Sequence, residues 1–261
     1  MSSHSRDSVS NTVKVSLLVC LVCALVVSTA AVMLQPQQTA NREQFRQFNI
    51  VRVAGLAGPG VDLAAAFERV ERRFVDLASG EYVEMADSYD PLAAARDPEL
   101  GRRLTDDPAG IRVMPRVGEV FLVRDEAGRF TRIVLPVHGY GLWSTMHGFL
   151  ALERDLDTVA GIGFHEHAET PGLGGEIDNP RWQAGWVGKR LYDDGGDLAL
   201  QVLKGRVPEG APDPEHKIDG LSGATLTTRG VQNLVRFWVG ELAYGPYLAR
   251  LRERLAAGDD V

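Results

Sequence analysis

The sequence predicts an α+β protein with mostly antiparallel strands and flanking helices, preceded by one N-terminal transmembrane helix. Three features support this: an uncharged apolar run near the N-terminus, β-branched segments joined by short turns, and a helical apolar stripe near the C-terminus. The chain has 261 residues, 44% of them hydrophobic, which is enough for one large domain or two small ones. A formal net charge of −7 argues against a nucleic-acid partner, because phosphate contacts need a basic face.

The first element is the apolar run Val15–Leu34 (VSLLVCLVCALVVSTAAVML). Twenty helical residues span about 30 Å, the thickness of the hydrocarbon core of a bilayer. A cleaved signal peptide is the alternative, because Ser28–Ala30 is an acceptable cleavage site. The apolar run continues past that site to Leu34, so a retained transmembrane helix is favoured.

The charges around this helix predict its orientation. Arg6 and Lys14 precede it, so the positive-inside rule places the N-terminus in the cytoplasm, although Arg42 and Arg46 follow on the far side. The predicted location is the cell inner membrane, crossed once and in contact with membrane lipid. We expect the cytoplasmic N-terminus at residues 1–14 and the transmembrane helix at 15–34. A linker at 35–48 and the periplasmic globular domain at 49–261 should follow.

The middle of the chain has the patterns of strands. GEVFLVRD and RFTRIVLPV are apolar, branched runs joined by EAG, which predicts a hairpin. Three further strands are predicted in GFLALERD, TVAGIGFHEH and LALQVLKG. A helix is expected before the hairpin, and another is expected after Pro180. The apolar stripe of the earlier helix is Leu63, Phe67, Val70, Phe74 and Leu77.

The last predicted helix ends near Gly245-Pro246. Its apolar stripe is Val231, Leu234, Val235, Trp238, Val239 and Leu242. Thr227 and Thr228 stand where an N-cap is expected. Gly220–Thr225 therefore form a turn of small residues before a helix N-terminus. Such a turn can bind an anion, or it can be a capped helix start without a ligand, and the local pattern leaves both open.

No metal site is expected. Cys20 and Cys23 form a C-x-x-C pair, but they lie inside the apolar helix with no histidine nearby, so they are interpreted as small apolar residues. The remaining chain has no cysteine, which excludes a disulfide or a cysteine-ligated cluster there. His165 and His167 would share one face of a strand, but a zinc site needs a third ligand.

Longer motifs carry a family resemblance. DGLSGAT (219–225) matches the acceptor motif of flavin transferases, Asp-x-x-Ser/Thr-Gly-Ala-Thr/Ser. The chain resembles the NqrC family, whose members belong to sodium-translocating NADH:quinone reductases, over nearly its whole length. The segments that carry this resemblance are GLWSTMHGFLAL, EHAETPGLGGEI, WVGKRLYDD and DGLSGATLTTRGVQ. The chain departs from the family at Tyr140, where a basic residue is expected.

The resemblance implies FMN attached by a phosphoester bond to Thr225, within a flavin-binding core at about 138–245. It implies an electron-relaying subunit with no catalytic acid or base. The implied partners are the other reductase subunits, including a second covalent-FMN subunit, and a flavin transferase. Alternatives are the equivalent subunit of an Rnf-type complex and a membrane-anchored binding protein without redox chemistry. The transferase motif comprises Asp219, Gly220, Ser222, Gly223 and Ala224.

The resemblance also implies the residues around the flavin. Glu169 to Gly172 would face the polar edge of the isoalloxazine and Leu173 its apolar face, although this segment can also be read as a Pro-Gly turn. Lys204 and Lys217 are candidates to balance negative charge. The full set of expected FMN-binding residues is Trp143, Ser144, Thr145, Glu169, Thr170, Gly172, Leu173, Lys204, Ser222, Gly223, Ala224, Thr225, Leu226 and Thr227.

Overall fold

The fold is taken from a computed structural model that describes residues 8–58 and 60–259. The chain divides into two compact units between Arg46 and Gln47. Helix α1 (Val9–Val53) contains an 18-residue window of mean hydropathy 2.8, so by length and composition it could cross a membrane. The predicted linker at 35–48 is a continuation of this helix. Residues 1–7, including Arg6, lie outside the described residues.

The second unit is built on a six-stranded antiparallel sheet with the strand order β2-β1-β5-β6-β7-β8. Its strands are β1 (Val70–Asp76), β2 (Tyr82–Val83), β5 (Val117–Arg124), β6 (Phe130–Tyr140), β7 (Thr145–Glu153) and β8 (Val159–Glu166). The unit also contains two separate two-stranded sheets. One is the antiparallel pair β3 (Gly101–Arg103) and β4 (Val113–Pro115), and the other is the parallel pair β9 (Gln201–Val202) and β10 (Lys217–Ile218).

The helices of this unit are short except at the C-terminus. They are α2 (Leu63–Phe67), α3 (Pro91–Ala94), α4 (Pro180–Ala184), α5 (Thr225–Val239) and α6 (Gly245–Ala257). Two single 3-10 turns lie at Gly174–Asp178 and Pro214–His216. The fold class is therefore the predicted α+β class with mostly antiparallel strands.

The predicted β5–β6 hairpin is confirmed, and Asp125 explains its turn. The Asp125 Oδ1 atom accepts hydrogen bonds from the backbone N–H groups of Ala127 and Arg129, both at 2.9 Å. Gly128 adopts a φ of 78°, which a residue without a side chain tolerates at little cost. The turn residues thus set the strand register locally.

The sheet has a buried core on each face, because its central strands are apolar at almost every position. On one face, β6 residues such as Leu135 and Val137 belong to the same core cluster as Leu234 and Trp238 of α5. On the other face, Val134 packs with Ile50, Val53, Phe121 and Phe149.

Two predicted helices are wrong in extent. The expected helix through Leu77 ends at Phe67, and Val70–Asp76 is strand β1. Val70 and Phe74 are four residues apart, and this spacing puts two side chains on one face of a helix or of a strand alike. At the C-terminus, α5 ends at Val239, because Gly240 takes an extended conformation. Gly245 then begins a separate helix, α6.

The other two segments are shorter than predicted. The strand expected in LALQVLKG is limited to Gln201–Val202. The helix expected after Pro180 ends at Ala184, and Gly185 is its C-cap.

Candidate functional site

The candidate site is built from three segments that are distant in sequence. They are the β6–β7 loop at 141–144, the segment 167–178 after β8, and the loop 219–224 with the start of α5. The carboxylate of Glu169 joins them. Glu169 is only 4% exposed, so its hydrogen-bond partners must come from the protein itself.

The two carboxylate oxygens of Glu169 bind different segments. Oε1 accepts hydrogen bonds from the backbone N–H groups of Leu142 (3.0 Å), Trp143 (2.9 Å) and Ser144 (3.3 Å). Oε2 accepts one from the Thr227 hydroxyl at 2.6 Å. Burial raises the pKa of Glu169, but these four hydrogen bonds outweigh burial, and the pKa lies below its usual value. The side chain is thus a charged clamp between the β6–β7 loop and α5.

Two glycines leave the space that this clamp occupies. A Cβ atom on Gly174 would lie 2.5 Å from Thr227 Oγ1 and 2.8 Å from Glu169 Oε2. A Cβ atom on Gly141 would lie 2.5 Å from Glu169 Oε1. All three distances are shorter than van der Waals contact allows. The glycines in GLWST and PGLGG therefore let the three segments approach each other.

Thr225 is the first residue of α5 and is partly exposed. The first helical hydrogen bond runs from Thr228 N–H to Ala224 O at 2.9 Å. No described group accepts a hydrogen bond from the N–H groups of Thr225, Leu226 and Thr227, because they precede that bond and Ala224 has no capping side chain. Free N–H groups at a helix N-terminus favour an anion such as a phosphate.

The predicted N-cap role of Thr227 and Thr228 is wrong. Both residues lie inside the first turn of α5, and both are buried. The Thr227 hydroxyl donates to Glu169, and the Thr228 hydroxyl accepts a hydrogen bond from Leu221 N–H at 3.1 Å. A Thr pair before an apolar stripe predicts a helix start to within a turn, but it does not fix which residue is the cap.

The start of the acceptor loop is anchored by Asp219 and Gly220. The Asp219 Oδ1 atom accepts from Val207 N–H at 2.7 Å, and its backbone oxygen accepts from Trp182 Nε1 at 2.8 Å. Gly220 lies so close to Leu203 O that a Cβ atom would be 1.9 Å from it. These contacts hold the loop in place, while Ser222 and Gly223 at its tip are exposed, with Gly223 at a φ of 72°.

Exposed apolar side chains lie on the same three segments. Trp143 is 65% exposed, Leu173 44% and Leu226 52%. Trp143 is therefore not part of the core. The Leu173 Cδ2 atom lies 3.0 Å from where a Cβ atom on Gly223 would be, which places Leu173 beside the acceptor loop. Such side chains are suited to contact the flat, apolar face of an aromatic ring.

The remaining predicted residues have local roles in this structure. Thr170 O accepts from Leu173 N–H (3.1 Å) and Gly175 N–H (2.9 Å), which closes the turn in which Gly172 has a φ of 76°. Ser144 Oγ accepts from Ala168 N–H at 2.7 Å. Thr145 begins β7 and is half-buried, and Lys204 is exposed.

His167 fixes the segment that leads into Glu169. Its Nε2 atom lies 2.8 Å from Asp178 Oδ2, and its Nδ1 atom accepts from Glu169 N–H at 3.2 Å. Among the described residues, no group of three or more His, Cys, Asp or Glu side chains is placed to hold a metal ion. The motif HEH does not predict this role of His167, because its partners lie outside the motif.

Comparison with known proteins identifies the class of this site. The family described as "FMN-binding domain" matches residues 141–240, a range that includes all three site segments. The site is that of an FMN-binding domain.

Relatives over the whole chain define the family further. The chain is 48% identical over 257 residues to the NqrC subunit of the Na(+)-translocating NADH-quinone reductase of Pseudomonas aeruginosa, covering 95% of this chain and 98% of that protein. It is 46% identical over 257 residues to the Yersinia pestis protein of the same name, with 96% of each chain covered. The crystal structure of Shewanella oneidensis NqrC is similar, with a TM-score of 0.77 and 33% identity over 82% of this chain and 99% of that chain. The chain belongs to the NqrC family of Na(+)-translocating NADH-quinone reductase subunits.

Proposed function

We propose that this chain is the FMN-carrying subunit of a sodium-translocating NADH:quinone reductase, with the FMN phosphate esterified to Thr225 and the globular unit in the periplasm. The subunit relays electrons between other cofactors of the assembly, including that of a second covalent-FMN subunit. FMN supplies one-electron chemistry when it is bound. The protein residues bind it, orient it and exclude water from it.

The burial and hydrogen bonding of the hydroxyl groups in and next to the acceptor loop support Thr225 as the attachment point. Thr227 and Thr228 are buried, and each hydroxyl has a hydrogen-bond partner. Ser222 and Thr225 are the two hydroxyl residues at positions 219–228 that keep some exposure. The acceptor motif places the attachment point directly after Gly223-Ala224, which selects Thr225.

The surroundings of Thr225 fit a phosphodiester. The three N–H groups at the start of α5 and the N-terminal end of the helix dipole favour its single negative charge. Gly223 and Ala224 add no bulk on the N-terminal side of the attachment point. Leu173, Leu226 and Trp143 provide exposed apolar surface for the ring system.

The side chain of Glu169 also has a structural role that the motif does not predict. Its two carboxylate oxygens are committed to three backbone N–H groups and to the Thr227 hydroxyl, so it positions the loop of Trp143 and the start of α5. Contacts with the polar edge of the ring are then left to the backbone groups of 170–173 and of the β6–β7 loop.

The test compares Thr225→Val with Thr228→Val, with a flavin transferase co-expressed. Thr225→Val should abolish flavin fluorescence that survives SDS denaturation, because valine has the shape of threonine without the hydroxyl. Thr228→Val should retain it, because Thr228 lies outside the acceptor motif. Circular dichroism of Thr225→Val should show a folded protein. A flavin-modified peptide in the 210–236 region that maps to Ser222 or Thr227 would contradict the assignment.

The colour of the purified protein separates this function from the non-redox alternative. A membrane-anchored binding protein without redox chemistry would be colourless even when the transferase is present. The names of the relatives favour the sodium pump over an Rnf-type complex.

A further inference from the structure

A cavity lies where β6 ends and β7 begins. It has a volume of about 530 Å³ and is lined by the C-terminal end of β6, the start of β7 and the segments around 92–96 and 107–112. Tyr140 and Thr145, at the two ends of the β6–β7 loop, line it. None of the expected FMN-binding residues except Thr145 belongs to it.

Two guanidinium groups line this cavity without a carboxylate partner. Arg96 and Arg112 are exposed, and neither forms an ion pair with any described residue. One carboxylate, Asp107, also lines the cavity, but both of its oxygens accept hydrogen bonds from its own loop. Oδ1 accepts from Ile111 N–H at 3.0 Å, and Oδ2 accepts from Arg112 N–H at 2.6 Å. With neutral histidines, the lining has a formal charge of +1, from two arginines and one aspartate.

The strand side of the cavity includes two histidines. His138 and His147 are direct partners across β6 and β7, and their rings stack with centroids 5.3 Å apart. Neither imidazole forms a hydrogen bond with a described residue, so their ring N–H groups are available to the cavity. Burial lowers the pKa of His138 to about 3, and His147 adds to this effect. Burial also lowers the pKa of His147; the negative charge of Glu166 opposes this effect, and the positive charge of Arg96 adds to it.

The loop that carries Arg112 is held in a strained conformation. Arg112 has a φ of 65°, a left-handed value that is unfavourable for a residue with a side chain. The bond to Asp107 and the bond from Leu104 N–H to Arg112 O at 3.0 Å hold it there. These bonds fix the backbone of Arg112 at the cavity. No described residue forms an ion pair with its guanidinium group.

We propose that this cavity binds a phosphate-type oxyanion between Arg96, Arg112 and the imidazole N–H groups of His138 and His147. The donors come from two directions, the loops on one side and the strands on the other. A tetrahedral oxyanion can accept from both sides at once, whereas a planar carboxylate has two oxygens in one plane. One ligand then explains the net positive lining and the guanidinium and imidazole groups that no described residue pairs with.

Binding can be measured on the full-length protein in detergent micelles with histidine labelled with ¹³C at Cε1. Inorganic phosphate is titrated at constant ionic strength, and sodium chloride replaces it in the reference titration. The resonances of His138 and His147 should shift and saturate. His216 is the internal control, because its Nδ1 atom is 3.0 Å from Arg190 O and it lies outside the cavity.

The substitutions Arg96→Gln and Arg112→Gln should each weaken phosphate binding at least tenfold. Both side chains are exposed, so the fold should persist, and an unchanged His216 resonance verifies this. Arg129→Gln, at an exposed ion pair with Asp125, is the matched control and should bind as the wild type does.

Three results would overturn the proposal. They are the absence of saturable shifts at His138 and His147, equal shifts with chloride, and undiminished binding in both arginine variants. Acetate that binds as tightly as phosphate would contradict the tetrahedral class of ligand. Glycerol 3-phosphate shows whether the ligand is a free phosphate ion or an organic phosphate ester. Tighter binding than inorganic phosphate supports the ester, and equal or weaker binding supports the free ion.

Discussion

At the scale of single residues, the site depends on one buried carboxylate. The resemblance predicts Glu169 as a contact to the flavin, and its burial and four hydrogen bonds show a further role, in which it connects the β6–β7 loop to α5. Residues 141–144, 169 and 227 lie far apart in sequence, so no local pattern reveals their contact. Leu173, Leu226 and Trp143 are exposed, so none of them is part of the core.

Glu169→Ala should destabilise the globular unit by about 3 kcal/mol, because it leaves the buried Thr227 hydroxyl and three partly buried backbone N–H groups without an acceptor. Glu169→Gln should cost less, since its amide oxygen can replace one carboxylate oxygen. The free energy of unfolding, measured by urea titration, gives both values. Glu209→Gln, at an exposed position, is the matched control and should change stability by less than about 0.5 kcal/mol.

The same carboxylate gives a pH dependence of known sign. The pKa of Glu169 in the folded protein lies below its usual value of 4.5, so its charged form is stabilised by folding. The contribution is complete above that usual value and is lost as the pH falls through the folded pKa. The stability difference between wild type and Glu169→Gln should therefore be constant above about pH 6 and shrink in acid. A difference that grows in acid would contradict the clamp.

Leu173→Ala should leave FMN attached, because the bond is made at Thr225. It should remove apolar cover from the ring, change the flavin fluorescence and shift the midpoint potential. Leu242→Ala is the matched control, since Leu242 is 40% exposed and lies between α5 and α6. If fluorescence and potential are the same in wild type and Leu173→Ala, then Leu173 does not contact the ring.

At the scale of elements, the sequence predicts hairpins better than helices. The β5–β6 hairpin follows from two branched apolar runs and a turn whose Asp125 and Gly128 act locally. The helix predicted after Leu63 extends too far because Val70 and Phe74 fit a helical and a strand period equally. Pairing of β1 with β5 decides between them, and that contact spans over forty residues. The first turn of α5 shows the same limit, because buried partners decide the roles of its threonines.

Thr228→Val should therefore destabilise the protein by about 1–3 kcal/mol, through a buried Leu221 N–H group that loses its acceptor. This cost comes from the loop before α5 and not from a lost helix cap. Thr228→Ser retains the hydroxyl and should recover most of the loss. Thermal unfolding of the three proteins measures the effect. Equal midpoints for wild type and Thr228→Val would mean that the Leu221–Thr228 bond contributes nothing.

At the scale of the whole molecule, the long motifs define the family, and local periodicity defines most strands. The strand order β2-β1-β5-β6-β7-β8 does not follow from the sequence, because β1 joins the sheet across intervening segments that include the β3–β4 pair. The polar composition of 35–48 predicts a linker, yet its residues continue α1. Composition does not distinguish a solvated helix from a loop when both are polar.

The orientation of the chain in the membrane is the last prediction. Lys14 and Arg6 before the apolar run favour a cytoplasmic N-terminus and a periplasmic globular unit. Alkaline phosphatase fused after Val261 should then be active, because it folds with its disulfides in the periplasm. A cytoplasmic reporter at the same position should be inactive, and the opposite pattern would contradict the orientation.

N-terminal sequencing of the mature protein adds a second criterion: a chain that starts near Ala31 would show a cleaved signal peptide, whereas a retained N-terminus supports the anchor. Arg42 and Arg46 follow the apolar run and reduce the charge difference across the membrane. This orientation therefore also requires that the end of α1 and the large globular unit after it can be exported.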